Sequence, residues 1–346
     1  MGEASQQADA GAAGGAEAAA AAPVLHVAPA PHLFNTALTT RRMMIDVLVA
    51  LSPVLFVSLY VFRLYAVKHV AICVGTCLAA ELLFTAMRRR AITLGDCSAA
   101  VTGLILAMSL PGAAPWYVSV IGSIVAIGIG KVLFGGLGQN LFNPAMVGRA
   151  FVMLAFAGAV GASGYVVAVA KDVPAWADPV ITQATPMAAA KAGGAAAPLM
   201  SLLLGNTNGS LGETSALACL IGGLYLCLRR TASWQIPAGV LLPVVVIGGI
   251  VQLAGGGPLT VLHHLLGGAL LFGAFFIATD LVTSPITPKG KFIFGLGVGC
   301  LVMLIRLLSN YPEGVMFAVL VMNAVVPLIN RWTIPTPVGG PVPERK

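Results

Sequence analysis

Met43-Met44-Ile45-Asp46-Val47-Leu48-Val49-Ala50-Leu51-Ser52-Pro53-Val54-Leu55-Phe56-Val57-Ser58-Leu59-Tyr60-Val61-Phe62 is an almost unbroken apolar run, with one carboxylate near its start and one proline inside it. A helix needs roughly 20 such residues to cross the hydrocarbon core of a bilayer. Further runs follow at about 67–87, 97–111, 115–134, 144–163, 214–228, 236–254, 261–279, 292–308 and 314–330. Several are short, which is tolerated for helices buried among neighbours. Of the 346 residues, 58% are hydrophobic and 9% charged, where soluble domains carry about 25% charged residues. Mean hydropathy is +0.94. These numbers predict an all-α integral membrane protein with about ten transmembrane helices.

Ten crossings put both termini on one side, and the cations choose the side. With the termini inside, the inner segments hold 14 of the 19 Lys and Arg residues and the outer segments 5. Cytoplasmic loops collect Lys and Arg, so the termini are expected in the cytoplasm. The net charge of +7 is therefore a topology signal. No basic run interleaved with aromatics points to nucleic acid. Residues 1–31 are Ala/Gly-rich without Lys or Arg, and read as a disordered tail. The expected organisation is a first membrane half at 32–163, an outer-face loop at 164–213, a second half at 214–330 and a cytoplasmic tail at 331–346.

The spans are interrupted. Pro53, Pro144, Pro243, Pro285 and Pro327 lie inside or beside them and predict kinked or broken helices. Such backbone is tolerated at membrane depth only where it is buried in protein or lines a cavity. Gly95-Asp96-Cys97-Ser98-Ala99 and Gly212-Glu213-Thr214-Ser215-Ala216 share the pattern Gly-acid-x-Ser-Ala and open spans entering from opposite faces. That hints at an inverted repeat, although a duplication of five spans would pair the third with the eighth. The glycines around the fourth span, Gly122 to Gly138, allow close approach of helices or of a flat cofactor.

Four polar groupings carry candidate chemistry. In the long polar break, Thr185 suits a helix N-cap, Pro186 the first helical position and Lys191 the last turn. Such a terminus can seat a phosphate, and a plain capped turn accounts for the same residues. Asn140 and Asn143, three apart, offer donors and acceptors for the edge of a flavin or quinone ring; capping of the fifth helix explains them equally. Asp46 and Glu81 lie within the first two spans, and Asp280 opens the hydroxyl-rich linker Thr279–Lys291. A carboxylate at membrane depth costs about 3 kcal/mol and is a candidate for an ion pathway. A local pair with Arg42 would account for Asp46. The six cysteines fall in or beside apolar runs and read as small buried hydrophobes; no metal site is expected.

Together these stretches resemble one family. Pro31-His32, Gly138–Ala145, Thr182–Pro186, Gly209–Ser215, Thr279–Lys291, Glu313–Ala318 and Met322-Asn323 are similar to the D subunit of the Rnf electron transport complex, and more distantly to the B subunit of the Na+-translocating NADH:quinone oxidoreductase. The resemblance spans residues 31 to 330. It implies a membrane subunit of an ion-translocating ferredoxin:NAD oxidoreductase complex that relays electrons and helps couple them to Na+ or H+ movement. It implies covalent FMN, attached through its phosphate to a threonine by a flavin transferase, and a non-covalent riboflavin near Asn140 and Asn143. Thr185 in Thr182-Gln183-Ala184-Thr185 matches the acceptor, with Gln183 where the pattern has glycine, and Pro186 and Met187 as flavin neighbours. Implied partners are further membrane and peripheral subunits, including an FMN-bearing subunit and iron–sulfur subunits, besides the lipid. A membrane channel or secondary transporter with an inverted repeat and no flavin is the competing expectation.

Overall fold

A computed structural model describes residues 39–89, 93–160, 185–205, 207, 209–255, 258–309 and 314–335. The tail at 1–31, the tail beyond 335 and residues Thr182, Gln183 and Ala184 lie outside the described residues. Every described segment but one isolated bridge is helix, turn or coil.

The chain folds as the apolar runs predict. The first half is α1 (Thr40–Phe62), α2 (Leu64–Met87), α3 (Ser98–Ser109), α4 (Trp116–Ile127) and α5 (Pro144–Ala155), followed by the single turn α6 (Ala157–Val160). Two short helices, α7 (Pro186–Lys191) and α8 (Leu199–Leu204), occupy the described part of the long polar break. The second half is α9 (Ala216–Leu228), α10 (Gln235–Leu253), α11 (Val261–Leu266) with α12 (Leu270–Phe272), α13 (Pro288–Leu308) and α14 (Val315–Thr333). Five of these are long and apolar enough to cross a membrane: α1, α2, α10, α13 and α14. Pro53, Pro243 and Pro327 sit inside α1, α10 and α14. Pro144 is instead the first residue of α5, where its missing N–H costs nothing.

The two halves repeat one order: two consecutive helices, a broken third, a fourth and a fifth. α2 packs on α4 as α10 packs on α13, and α4 packs on α5 as α13 packs on α14. The first helices of the halves, α1 and α9, pack on each other, and so do the last, α5 and α14. This is the contact pattern of a duplication of five. It pairs α3 with α11–α12, and α1 with α9, so the Gly-acid-x-Ser-Ala stretches before α3 and α9 are not equivalent positions.

Both halves contain a π turn: Gly128–Val132 continues α4, and Gly273–Ile277 continues α12. The helix breaks keep their backbone groups bonded. After α3, Met108 O and Leu110 O accept from Gly212 N (2.6 Å) and Leu211 N (3.1 Å), next to the antiparallel bridge of Pro111 with Ser210. Between α11 and α12, the buried Arg306 guanidinium donates to His264 O (2.5 Å) and Gly267 O (2.9 Å). His69 secures the α3–α4 corner. Its Nε2 faces the Gly112 carbonyl at 3.0 Å and must carry the proton, so Nδ1 accepts from the Ser119 hydroxyl at 2.7 Å.

Close helix approach depends on glycine at the α10–α13 crossing, where a Cβ on Gly295 would lie 2.5 Å from Ile236 O and 3.0 Å from Gly239 Cα. Both neighbours are backbone atoms and cannot rotate away. Gly295→Ala is expected to lower stability by about 1–3 kcal/mol, read as an earlier unfolding midpoint in a detergent titration; an unchanged midpoint would mean the helices can separate freely.

Candidate functional site

Three polar centres are built into the apolar interior. The first is at Thr185. It is the N-cap of α7: its Oγ1 accepts from Ala188 N at 3.3 Å, and Pro186 follows at the first helical position. The capping expected of Thr185-Pro186 is therefore present, but the residue is buried, at 2% exposure, rather than displayed on a surface loop. Thr185, Met187, Thr207, Glu213 and Gly268 border a cavity of about 10 Å³, room for about one water. Glu213 is paired on one side only. Its Oε1 accepts from Arg149 Nη1 at 3.2 Å, while Oε2 is buried without a partner. Arg149 comes from the middle of α5 and also reaches Ser210 Oγ at 3.5 Å. Lys191, at the end of α7, donates to Ser309 O; burial and the Arg306 charge lower its pKa.

The second centre lies around Asn140 and Asn143. Asn143 caps α5, its Oδ1 accepting from Ala145 N and Met146 N, and its Nδ2 donates to Ile277 O. Its side-chain amide is thus engaged within the protein. Asn140 donates to Phe142 O and leaves Oδ1 buried and unpartnered. Both line a cavity of about 70 Å³ with Ser98, Lys131, Phe276 and Asp280, room for about five waters or a ring edge. The two π turns meet here, since Lys131 belongs to one and Phe276 to the other. Asp280 is held by Val282 N and the Thr283 hydroxyl; burial raises its pKa and these bonds oppose the rise.

The third centre is Glu81. It is buried on α2 and pairs with Lys131 at 2.6 Å, both side chains 2–3% exposed. Thr93 donates to the same Oε1 at 2.7 Å, and Oε2 has no partner. Glu81 and Lys131 border a larger cavity of about 560 Å³ together with Asp96 and the exposed Thr40 and Arg88.

Asp46 joins none of these. It pairs with Arg229 at 3.3 Å and accepts from Tyr225 and Thr231, tying α1 to the end of α9. The ion-pair partner the structure gives Asp46 is Arg229, far along the chain from the local Arg42. Sequence reasoning does not single out Lys131, Arg149 or Glu213 as site residues. By position Lys131 and Arg149 look like loop cations; their signal is a charge inside an apolar run. The cysteines follow expectation where helices pack, with Cys73, Cys77 and Cys219 buried, but Cys300 is exposed.

Buried cation–carboxylate pairs among long apolar helices mark a polytopic membrane protein. The NQR2, RnfD, RnfE family model matches residues 26–339, and the chain belongs to that family. It is 41% identical to the D subunit of the Na+-translocating ferredoxin:NAD+ oxidoreductase complex of Acetobacterium woodii, over 89% of this chain and 93% of that one. It is 38% identical to the D subunit of the proton-translocating ferredoxin:NAD+ oxidoreductase complex of Clostridium ljungdahlii, over 87% and 92%. It is 40% identical to the D subunit of the ion-translocating oxidoreductase complex of Stutzerimonas stutzeri, over 86% and 92%.

Removing one member of a buried pair strands the other, at a cost of about 3–5 kcal/mol. Arg149→Met and Glu213→Leu are each expected to destabilise by that amount, and the double variant to recover most of it. A double variant as unstable as the sum of the two would show that the groups are not coupled.

Proposed function

We propose that this protein is the D-type membrane subunit of an ion-translocating ferredoxin:NAD oxidoreductase complex. In this reading it lies in a bacterial inner membrane with its termini in the cytoplasm and Thr185 near the outer face. Lys131, Arg149 and Arg306 are buried and drop out of the charge count, which leaves the inner excess in place. The partners are the complex's other membrane and peripheral subunits, among them flavin-bearing and iron–sulfur subunits.

The observation that carries the reading is a buried N-cap hydroxyl, Thr185 Oγ1, beside a small polar cavity, at the position that matches the family's flavin acceptor. FMN linked there through its phosphate would be chemically compatible with the surroundings. An ester oxygen still accepts from Ala188 N, and negative charge is favoured at the start of a helix. The Arg149 guanidinium offsets the charge of Glu213, so the carboxylate does not repel the phosphate as a lone charge would. The cavity is far too small for the ring, which must extend beyond it. When bound, FMN supplies electron-transfer chemistry that the side chains lack. The residues of this chain fix its phosphate end, exclude water around the link and set the local field.

The cavity at Asn140 is the candidate for a second flavin, riboflavin, or a quinone. The open Asn140 Oδ1 is an acceptor for a ring N–H, and Lys131 is a cation at the same wall. Glu81 and Asp280 are the ion-pathway candidates. Asp46, with three partners, is the weakest of the three carboxylates for that role.

The test is a peptide mass. Protein purified from cells that express the flavin transferase should carry one FMN on the peptide containing Thr185. Thr185→Asn keeps the N-cap but has no hydroxyl, and should lose the FMN without loss of folded protein. An unmodified wild-type peptide, with the flavin absent from denatured protein, would favour the channel or transporter reading.

A further inference from the structure

Lys131 borders two cavities at once. It lines the large cavity with Glu81, Arg88 and Asp96, and it lines the inner cavity with Ser98, Asn140 and Asp280. Its ammonium donates to Glu81 Oε1 at 2.6 Å and to Ser98 Oγ at 2.6 Å. Ser98 in turn donates to Asp96 Oδ1 at 2.5 Å. An ammonium has three hydrogens, so two are used. Asn140, which lines the inner cavity, has an Oδ1 without a donor, and the second oxygen of the bonded carboxylate, Glu81 Oε2, is buried without one. Lys131 sits in the π turn Gly128–Val132, an irregular segment of the kind found at functional sites.

We infer that Lys131 is a tethered cation that exchanges between these cavities, and that Glu81 is the carboxylate it releases to a monovalent cation, Na+ or H+. When the inner cavity is neutral, the ammonium neutralises Glu81 and keeps solvent cations out. When negative charge enters the inner cavity, the ammonium turns toward it. Glu81 is then an uncompensated buried carboxylate, and a cation from the large cavity replaces the ammonium. Charge balances: one electron added to the inner cavity is matched by one cation bound at Glu81. No covalent bond is made or broken at Lys131. The inference rests on the reading of the inner cavity as a redox site, with the electron supplied by the flavin proposed on Thr185. By linkage, a cation that binds only after reduction must favour reduction to the same degree.

The experiment uses the whole complex in its membrane. Dicyclohexylcarbodiimide, which modifies buried carboxyls, is applied to the oxidised complex and the Glu81 peptide is followed by mass. Lys131→Met exposes Glu81 permanently and should be labelled at least tenfold faster than wild type. Protection by NaCl at fixed pH identifies Na+; labelling that falls with rising pH and ignores NaCl identifies H+, with Arg88, Asp96 and Lys131 as the charged groups facing Glu81. Lys131→Arg keeps the charge and should label as slowly as wild type. Equal labelling of Lys131→Met and wild type overturns the inference. In parallel, the midpoint potential of the non-covalent cofactor is titrated against cation concentration. Lys131→Met should shift it negative and Glu81→Gln positive, each by at least tenfold in the reduction equilibrium (~59 mV for one electron), and both should abolish its dependence on the cation. Shifts of the same sign, or cation dependence kept in both variants, also overturn it. Wild-type complex that releases neither flavin nor quinone on denaturation sinks the redox reading of the cavity itself, a result separate from the labelling rates.

Discussion

Two helices are broken inside an apolar interior, and their backbone polar groups must find partners there. An unbonded carbonyl away from water costs several kcal/mol, so neither break can stand alone. The first is closed by backbone: Leu211 and Gly212 donate to the end of α3. The second is closed by a side chain: Arg306 donates to two carbonyls at the end of α11. Each solution imports a segment from elsewhere in the chain. The strap that closes the first break runs straight into Glu213, and the corner that Arg306 holds brings in Gly268. The small cavity at Thr185 is bordered by both. The candidate cofactor site is thus a consequence of how the breaks are repaired.

Three buried cations follow the same logic with different partners. Lys131 meets a carboxylate and a hydroxyl, Arg149 a carboxylate and a hydroxyl, and Arg306 two carbonyls. A lone charge at membrane depth costs about 3 kcal/mol or more on insertion scales, which is why each has such company. Pairs of this kind contribute little net stability compared with apolar packing, since the desolvation cost roughly offsets the attraction. For Lys131 the result is a fixed charge at the wall of two cavities. Two of the partner carboxylates keep one oxygen buried and without a partner: Glu81 Oε2 and Glu213 Oε2.

Much of the fold is legible from hydropathy alone. Each of the ten apolar runs contains helix, and the capping chemistry of Thr185-Pro186, Asn143-Pro144 and Thr287-Pro288 marks helix starts in the same way. The site is legible in part. Thr185 can be singled out by its cap and by family resemblance, and Glu81 by its depth. Lys131 and Arg149 cannot, because a cation in an apolar run looks the same whether it faces a loop or an interior carboxylate. Asp46 shows the same limit from the other side. Its near neighbour Arg42 is a sensible partner by helical spacing, but the fold supplies Arg229, which also anchors the end of α9.

The amino-acid sequence settles the class: long apolar runs with few charges make a helical membrane protein, because the bilayer admits little else for such segments. It also determined the caps, which depend on neighbours three residues away. The pairing of the two halves was decided only in three dimensions, because a five-residue likeness carries less information than the packing of whole helices. So was the burial of Thr185, since exposure depends on what closes over a residue. The placing of Lys131 between two cavities belongs to the same category. Its partners Glu81 and Ser98 are 50 and 33 residues away along the chain, and only helix packing brings a charge, its counter-ion and two cavities to one point.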